Sequence, residues 1–392
     1  MNKHFNFSLK TNVRSGENEI SNIPEFLKNN DFKRVGFVID FNLIDKIKSI
    51  NSLVDLCKND FESVVIHYYK LKFEPTYQYL DEVKKEFKKD NNSLVDVIIG
   101  IGGGSSVDLA KGIATLITNH EPAINYRGFP ENLNKSIPVI AVPSTAGTGT
   151  ELAYNAVFID EESNTKLGIN TTNNYPILSV LDPVMVASAP RNVAIGSGIG
   201  ALIRCFETLA SPQSNLVSKL FSREGFNLIF DSMPNALKNN EIDSWSKMQW
   251  GAYNSMAALL NSNSGPAGAI SYYLSTKFDI PQGYGYGISG LKIAEYNTHC
   301  GYEGYSFLFN NFINDETFKF DELSKSKYVI NQTKLLFDEI NAPKNLKNFG
   351  VSSSEFDDFL HFCTVTAKGA FENNPINFNE ESMNSIIKEL IY

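Results

Sequence analysis

Residues 100–114, GIGGGSSVDLAKGIA, constrain the fold more than any other stretch of this chain. The apolar run VDVIIGI (95–101) ends there, Gly100, Gly102, Gly103 and Gly104 crowd the turn, and a helical pattern, VDLAKGIATLIT, follows. Glycine lets backbone approach a phosphate closely, and the N–H groups and dipole of a helix start favour a diphosphate. Ser105 and Ser106 stand at that helix start. No Gly-Lys-Ser/Thr follows, so the turn is not a P-loop, and it fits a G-x-G-x-x-G spacing only loosely. An ordinary tight strand-to-helix turn is the alternative, and the glycine density argues against it.

The flanking segments repeat the alternation. RVGFVID (34–40), SVVIHYY (63–69) and IPVIAVPS (137–144) read as buried parallel strands. YLDEVKKEFKKD sets Leu80, Val83 and Phe87 at helical spacing among charges. This order predicts an α/β domain over residues 1–182, a Rossmann-like, doubly wound parallel sheet. LDPVMVASAPRN (181–192) reads as a hinge. Beyond it, segments such as GIGALIRCFETLAS, NLVSKLFSREGFNLIFDSM and YVINQTKLLFDEI carry apolar residues at helical spacing, which predicts an all-helical domain over 183–392. The cleft between two such domains is the expected active site.

Composition narrows the function classes. A net charge of −9 argues against a general nucleic-acid binder. No apolar run approaches the roughly 20 residues of a membrane span, and MNKHFNFSLKTNVRSGENEI lacks an apolar signal core. A cytoplasmic protein is therefore expected, with Cys57, Cys205, Cys300 and Cys363 as free thiols.

Two further features fit a dinucleotide. Asp40 closes the first strand, where an acid accepts hydrogen bonds from ribose hydroxyls and repels a 2′-phosphate, favouring NAD over NADP. A solvated turn acid is the alternative there. PSTAGTGTE (143–151) follows a later strand, and Thr145, Thr148 and Thr150 offer hydroxyls to phosphate, ribose or carboxamide.

GGGSSVDLAK followed about 30 residues later by PSTAGTGTE resembles the iron-containing alcohol dehydrogenase family, within the dehydroquinate synthase-like superfamily. KLGI (166–169), LDP (181–183), IPQG (280–283) and the tail APKNLKNFGV…ENNPINFNEES resemble family segments in the same order. The resemblance implies NAD (NADH) as cofactor. It places Gly102, Gly103, Gly104, Ser105 and Asp108 at the pyrophosphate, and Thr145, Thr148 and Lys166 along the cofactor. It also implies a homo-oligomer, such as a dimer, acting on a small molecule.

Members of that family typically bind one divalent ion through an Asp and three His, in segments like GMDALTHAIE and a PHG triplet. The matching segment GIGALIRCFE (198–207) has Gly200 at the Asp position and Arg204 at the first His. Gly268 precedes AISYYL (269–274) where the third ligand stands, and Gln282 replaces the His of the triplet. Glycine offers no donor and arginine is a permanent cation, so no metal is expected. A replacement site from Cys205, His299 and Cys300 has no supporting spacing.

Without an ion, another group must hold the alkoxide of a hydride transfer. Arg204 is the first candidate, suited to a phosphorylated or carboxylated substrate. The alternative is that it pairs with Glu207. Tyr272, Tyr273, Lys277, Gln282, Tyr284 and Tyr286 belong to the stretch that lines the cleft in relatives. Tyr272 and Lys277 are candidate general acids, although tyrosines in such runs more often pack. Three functions follow: a metal-independent NAD(H)-linked oxidoreductase on a small aldehyde, ketone or alcohol; a dinucleotide-binding regulatory or assembly subunit without catalysis; or a cyclase- or lyase-type reaction of the superfamily.

Overall fold

The computed structural model describes residues 4–70, 74–89, 92–313 and 319–391. They form two compact units: one holds Leu9–Pro190 with Glu241–Gln249, the other the described residues up to Ser8, Arg191–Asn240 and those from Trp250 onward.

The first unit is built on a six-stranded parallel sheet. Its spatial order is Asn12–Ser15, Leu178–Leu181, Val139–Pro143, Val97–Gly102, Arg34–Asp40 and Ser63–Tyr69. The central strands are apolar on both faces because both faces are covered. Val35, Phe37, Ile39, Ile99, Ile101 and Val142 pack one way with Ile20, Leu27 and Leu53. Val38, Ile98 and Val139 pack the other way with Leu80, Leu109 and Ile113. Helix Gly104–Thr118 is buried from Ser106 to Ile117, since an antiparallel hairpin, Asn155–Asp160 with Thr165–Asn170, belongs to the same face through Ala156, Phe158 and Ile169.

Helix Pro183–Ala187 sends Met185 into the sheet's own core, so the first unit runs to Pro190.

Among the described residues, the regular elements of the second unit are all helical. Arg191–Ala210, Leu216–Asn239, Pro266–Phe278, Gln282–His299, Glu322–Glu339 and Glu380–Ile391 are its main helices, joined by the later part of Ile242–Leu259. Arg191–Ala210 has the length and apolarity of a membrane span, contrary to the sequence expectation. Its apolar window is 89% buried inside the protein, as a core helix requires.

Candidate active site

The glycine turn is shaped by its neighbours. Gly102 has φ 149°, a conformation L side chains rarely adopt, and a Cβ there would lie 2.9 Å from the Asp40 Cβ. The ends of two adjacent strands thus press together, which brings Asp40 to the turn. Ser144 N–H donates to the Gly102 carbonyl at 2.8 Å and carries the threonine loop onto the same spot. A methyl on Gly103 would touch Thr145 at 3.6 Å, and one on Gly104 would touch Thr148 at 3.0 Å. No side chain caps the start of helix Gly104–Thr118, which leaves that end suited to an anion. Gly102, Gly103, Gly104, Asp40, Thr145 and Thr148 therefore gather at one place. Ser105 joins them, hydrogen-bonded to the buried Tyr69 phenol, whose pKa burial drives up.

Two expected cofactor residues are engaged otherwise. Asp108 points into the protein, not to the turn: its carboxylate accepts the Thr150 hydroxyl and Val157 N–H (3.1 Å) beside Lys111. Burial pushes its pKa up, opposed by Lys111. Lys166, its side chain 3% exposed, is ion-paired with Glu74. Asp40 accepts from the N–H and side-chain amide of Asn42, at 2.9 and 3.0 Å.

In the helical unit, Arg204 is buried on Arg191–Ala210. Its guanidinium donates to Ser255 Oγ at 3.0 Å and lies 5.6 Å from the centre of the Tyr286 ring. Glu207, one turn on, accepts the Tyr286 hydroxyl, the Gly268 N–H (3.1 Å) and the Ser264 hydroxyl (3.4 Å). Burial, then the Glu207 charge, hold the Tyr286 phenol well above its ordinary pKa, while Arg204 works the other way. Sequence spacing did not reveal this network, because it joins four helices. The only hint was Glu207 standing near Arg204.

The other phenols of the stretch pack. Tyr273 stacks on Phe359 and Phe362 and donates to Asp358 at 2.5 Å; Tyr284 donates to the Asn192 carbonyl at 2.7 Å. Lys277, a candidate general acid, is held by two carboxylates. Its ammonium binds Asp358 and Glu355 (3.0 Å), and these partners outweigh desolvation and raise its pKa. Tyr272 is half-buried on Pro266–Phe278, and Gln282 opens helix Gln282–His299.

Residues 10–183 match the family model for iron-containing alcohol dehydrogenase, and residues 194–391 match that for the Fe-containing alcohol dehydrogenase family, C-terminal. The chain belongs to the iron-containing alcohol dehydrogenase family. It is similar to alcohol dehydrogenase 4 of Saccharomyces cerevisiae, with 26% identity over 95% of each chain. Its fold matches the crystal structure of 1,3-propanediol oxidoreductase, with TM-score 0.90, 22% identity and coverage of 99% of this chain and 100% of that one. It also matches sulfoacetaldehyde reductase from Bifidobacterium kashiwanohense in complex with NAD+, with TM-score 0.86, 18% identity and 99% coverage of both. This protein is accordingly an NAD-dependent alcohol dehydrogenase-like oxidoreductase.

The ion in the family's name does not fit the residues present. A Cβ at Gly200 would lie 2.9 Å from the Gly283 Cα, so backbone of helix Gln282–His299 fills the space of the family's Asp. A Cβ at Gly268 would collide with the Ser264 hydroxyl. Arg204 brings a cation to a cation's place, and Gln282 offers only an amide. Among the described residues no three His, Cys, Asp or Glu come together as a ligand set.

Proposed function

We propose that this iron-containing alcohol dehydrogenase relative interconverts a small aldehyde or ketone and its alcohol with NAD(H), without a divalent ion, and that its substrate carries a carboxylate or phosphate. The observation that carries the reading is the buried Arg204 guanidinium at a metal-ligand position, seated on Ser255 and Tyr286. Hydride delivered to a carbonyl carbon leaves charge on the oxygen, which a fixed cationic donor stabilises most strongly where water is excluded. Guanidinium stays charged and offers parallel N–H donors that match an oxyanion, carboxylate or phosphate. Tyr272 stands four residues after Gly268 and so shares its helical face. We assign it the proton that converts alkoxide to alcohol, and Gln282 an amide contact to the substrate. In this reading the protein is a cytoplasmic homodimer that binds neither nucleic acid nor membrane, which light scattering and cell fractionation check.

Chelator-treated protein is tested with NADH against carboxylated, phosphorylated and neutral aldehydes of equal size, and with NAD against the alcohols. The anionic aldehydes are turned over faster. Tight NADH binding with no turnover of any substrate in either direction would instead favour a regulatory subunit, and the reading would be abandoned.

A further inference from the structure

The helix behind the glycine turn carries a buried ion pair that the reaction above does not use. Lys111, fully buried, donates to the Thr150 carbonyl at 2.5 Å, the Thr150 hydroxyl at 2.6 Å and the Asn155 carbonyl at 2.9 Å. Asp108 Oδ1 lies 3.4 Å from the same ammonium. Asp108 in turn accepts the Thr150 hydroxyl and the Val157 N–H. Asp108 and Lys111 sit three residues apart on one helix face. Together they reach the far end of the threonine loop and the first strand of the hairpin that bears Lys166. A buried ion pair is a poor way to gain stability, since an apolar pair of similar volume often does as well or better. Its value here is directional: three ammonium hydrogens and a carboxylate fix where the loop and hairpin lie.

We infer that Asp108 and Lys111 are positioning residues of the dinucleotide site, holding the threonine loop and hairpin at the spacing from the glycine turn that a whole dinucleotide needs. This rests on the dinucleotide reading, which a titration of the wild-type protein with NADH checks separately. ADP supplies a diphosphate for the glycine turn but lacks the nicotinamide half. The two ligands therefore separate a positioning role from a general contribution to folding.

Thr150→Val keeps the volume and cuts the loop's side-chain tie; Lys111→Met keeps the stem and removes the charge. Fluorescence titration gives the NADH Kd, calorimetry the ADP Kd, and circular dichroism checks the fold. Loss of one charge-assisted hydrogen bond should raise the NADH Kd about tenfold in Thr150→Val. The ADP Kd should move less than about twofold, as for an independent site. If Lys111→Met does not fold, Thr150→Val and the neutral pair Asp108→Asn/Lys111→Met decide the matter. Unchanged NADH binding in Thr150→Val, or equal weakening of NADH and ADP, overturns the inference. A wild-type protein that ignored NADH would overturn the dinucleotide reading first and this inference with it.

Discussion

Gly200→Ala adds one methyl group where helix Arg191–Ala210 meets helix Gln282–His299. That methyl would stand 2.9 Å from the Gly283 Cα and 3.5 Å from the Gly283 carbonyl oxygen, and Cβ atoms essentially never come under 3.0 Å. The obstacle is backbone, so a helix must move. Overpacking of this kind costs about 1–3 kcal/mol, while alanine in place of glycine returns about 1 kcal/mol of helix propensity. The balance is a loss of up to about 2 kcal/mol, which for a unit of this size lowers the melting temperature by up to roughly 8 °C. Gly268→Ala is the control. Its methyl collides with the Ser264 hydroxyl, the end of a small side chain that can rotate away, and meets the Ser264 Cβ and the Tyr286 hydroxyl at an ordinary 3.5 Å. The control should stay within about 0.5 kcal/mol of wild type. Scanning calorimetry reads both. A Gly200→Ala protein that melts at or above the wild-type temperature would refute the claim that the helix packing itself closes the metal position.

Arg204→Ala should lower kcat/KM for anionic aldehydes at least about 100-fold, from loss of a buried charge-assisted contact in the transition state. The NADH Kd should be unchanged, and Arg204→Lys should not rescue, because an ammonium cannot reproduce the planar fork. Lys277→Ala, by contrast, should leave turnover within about twofold, since exposed ion pairs contribute little; a large loss would reinstate it as a catalytic residue. The Asp358 carboxyl is held below its ordinary pKa by Lys277 and then by Tyr273. A depressed carboxylate stabilises the fold above its unfolded pKa of about 3.9, and that contribution is lost as pH falls through the lower native value. The melting difference between wild type and Asp358→Asn should therefore shrink below about pH 4; a difference that grows there would contradict this.

Much of the first unit was legible because buried parallel strands are continuous apolar runs. RVGFVID and SVVIHYY coincide with strands Arg34–Asp40 and Ser63–Tyr69. The edge strand Asn12–Ser15 was not legible, since NVRS is polar and pairs on one side only. The hairpin Asn155–Asp160 with Thr165–Asn170 was missed as well, hidden in a stretch read only for family likeness. YLDEVKKEFKKD read as one helix. It is a helix, Tyr77–Val83, then a tighter turn, Lys84–Phe87, because local periodicity does not mark where tertiary contacts stop a helix. In the site, the glycine turn, Asp40 and the threonines stood out because backbone freedom and hydroxyl density are local properties. The inward turn of Asp108, the burial of Lys111 and the Tyr286–Glu207 bond depend on neighbours 39 to 79 residues away. The missing metal ligands were legible one by one, but the closure of Gly200 against Gly283 needed the fold.

Elemental analysis of the purified, NADH-oxidising protein, taken during turnover of a carboxylated or phosphorylated aldehyde, reaches the core of this account. Turnover that persists after chelation, with iron and zinc far below one ion per chain, is the predicted result. One firmly held iron or zinc per chain, with activity that vanishes on its removal and returns on its addition, would contradict it.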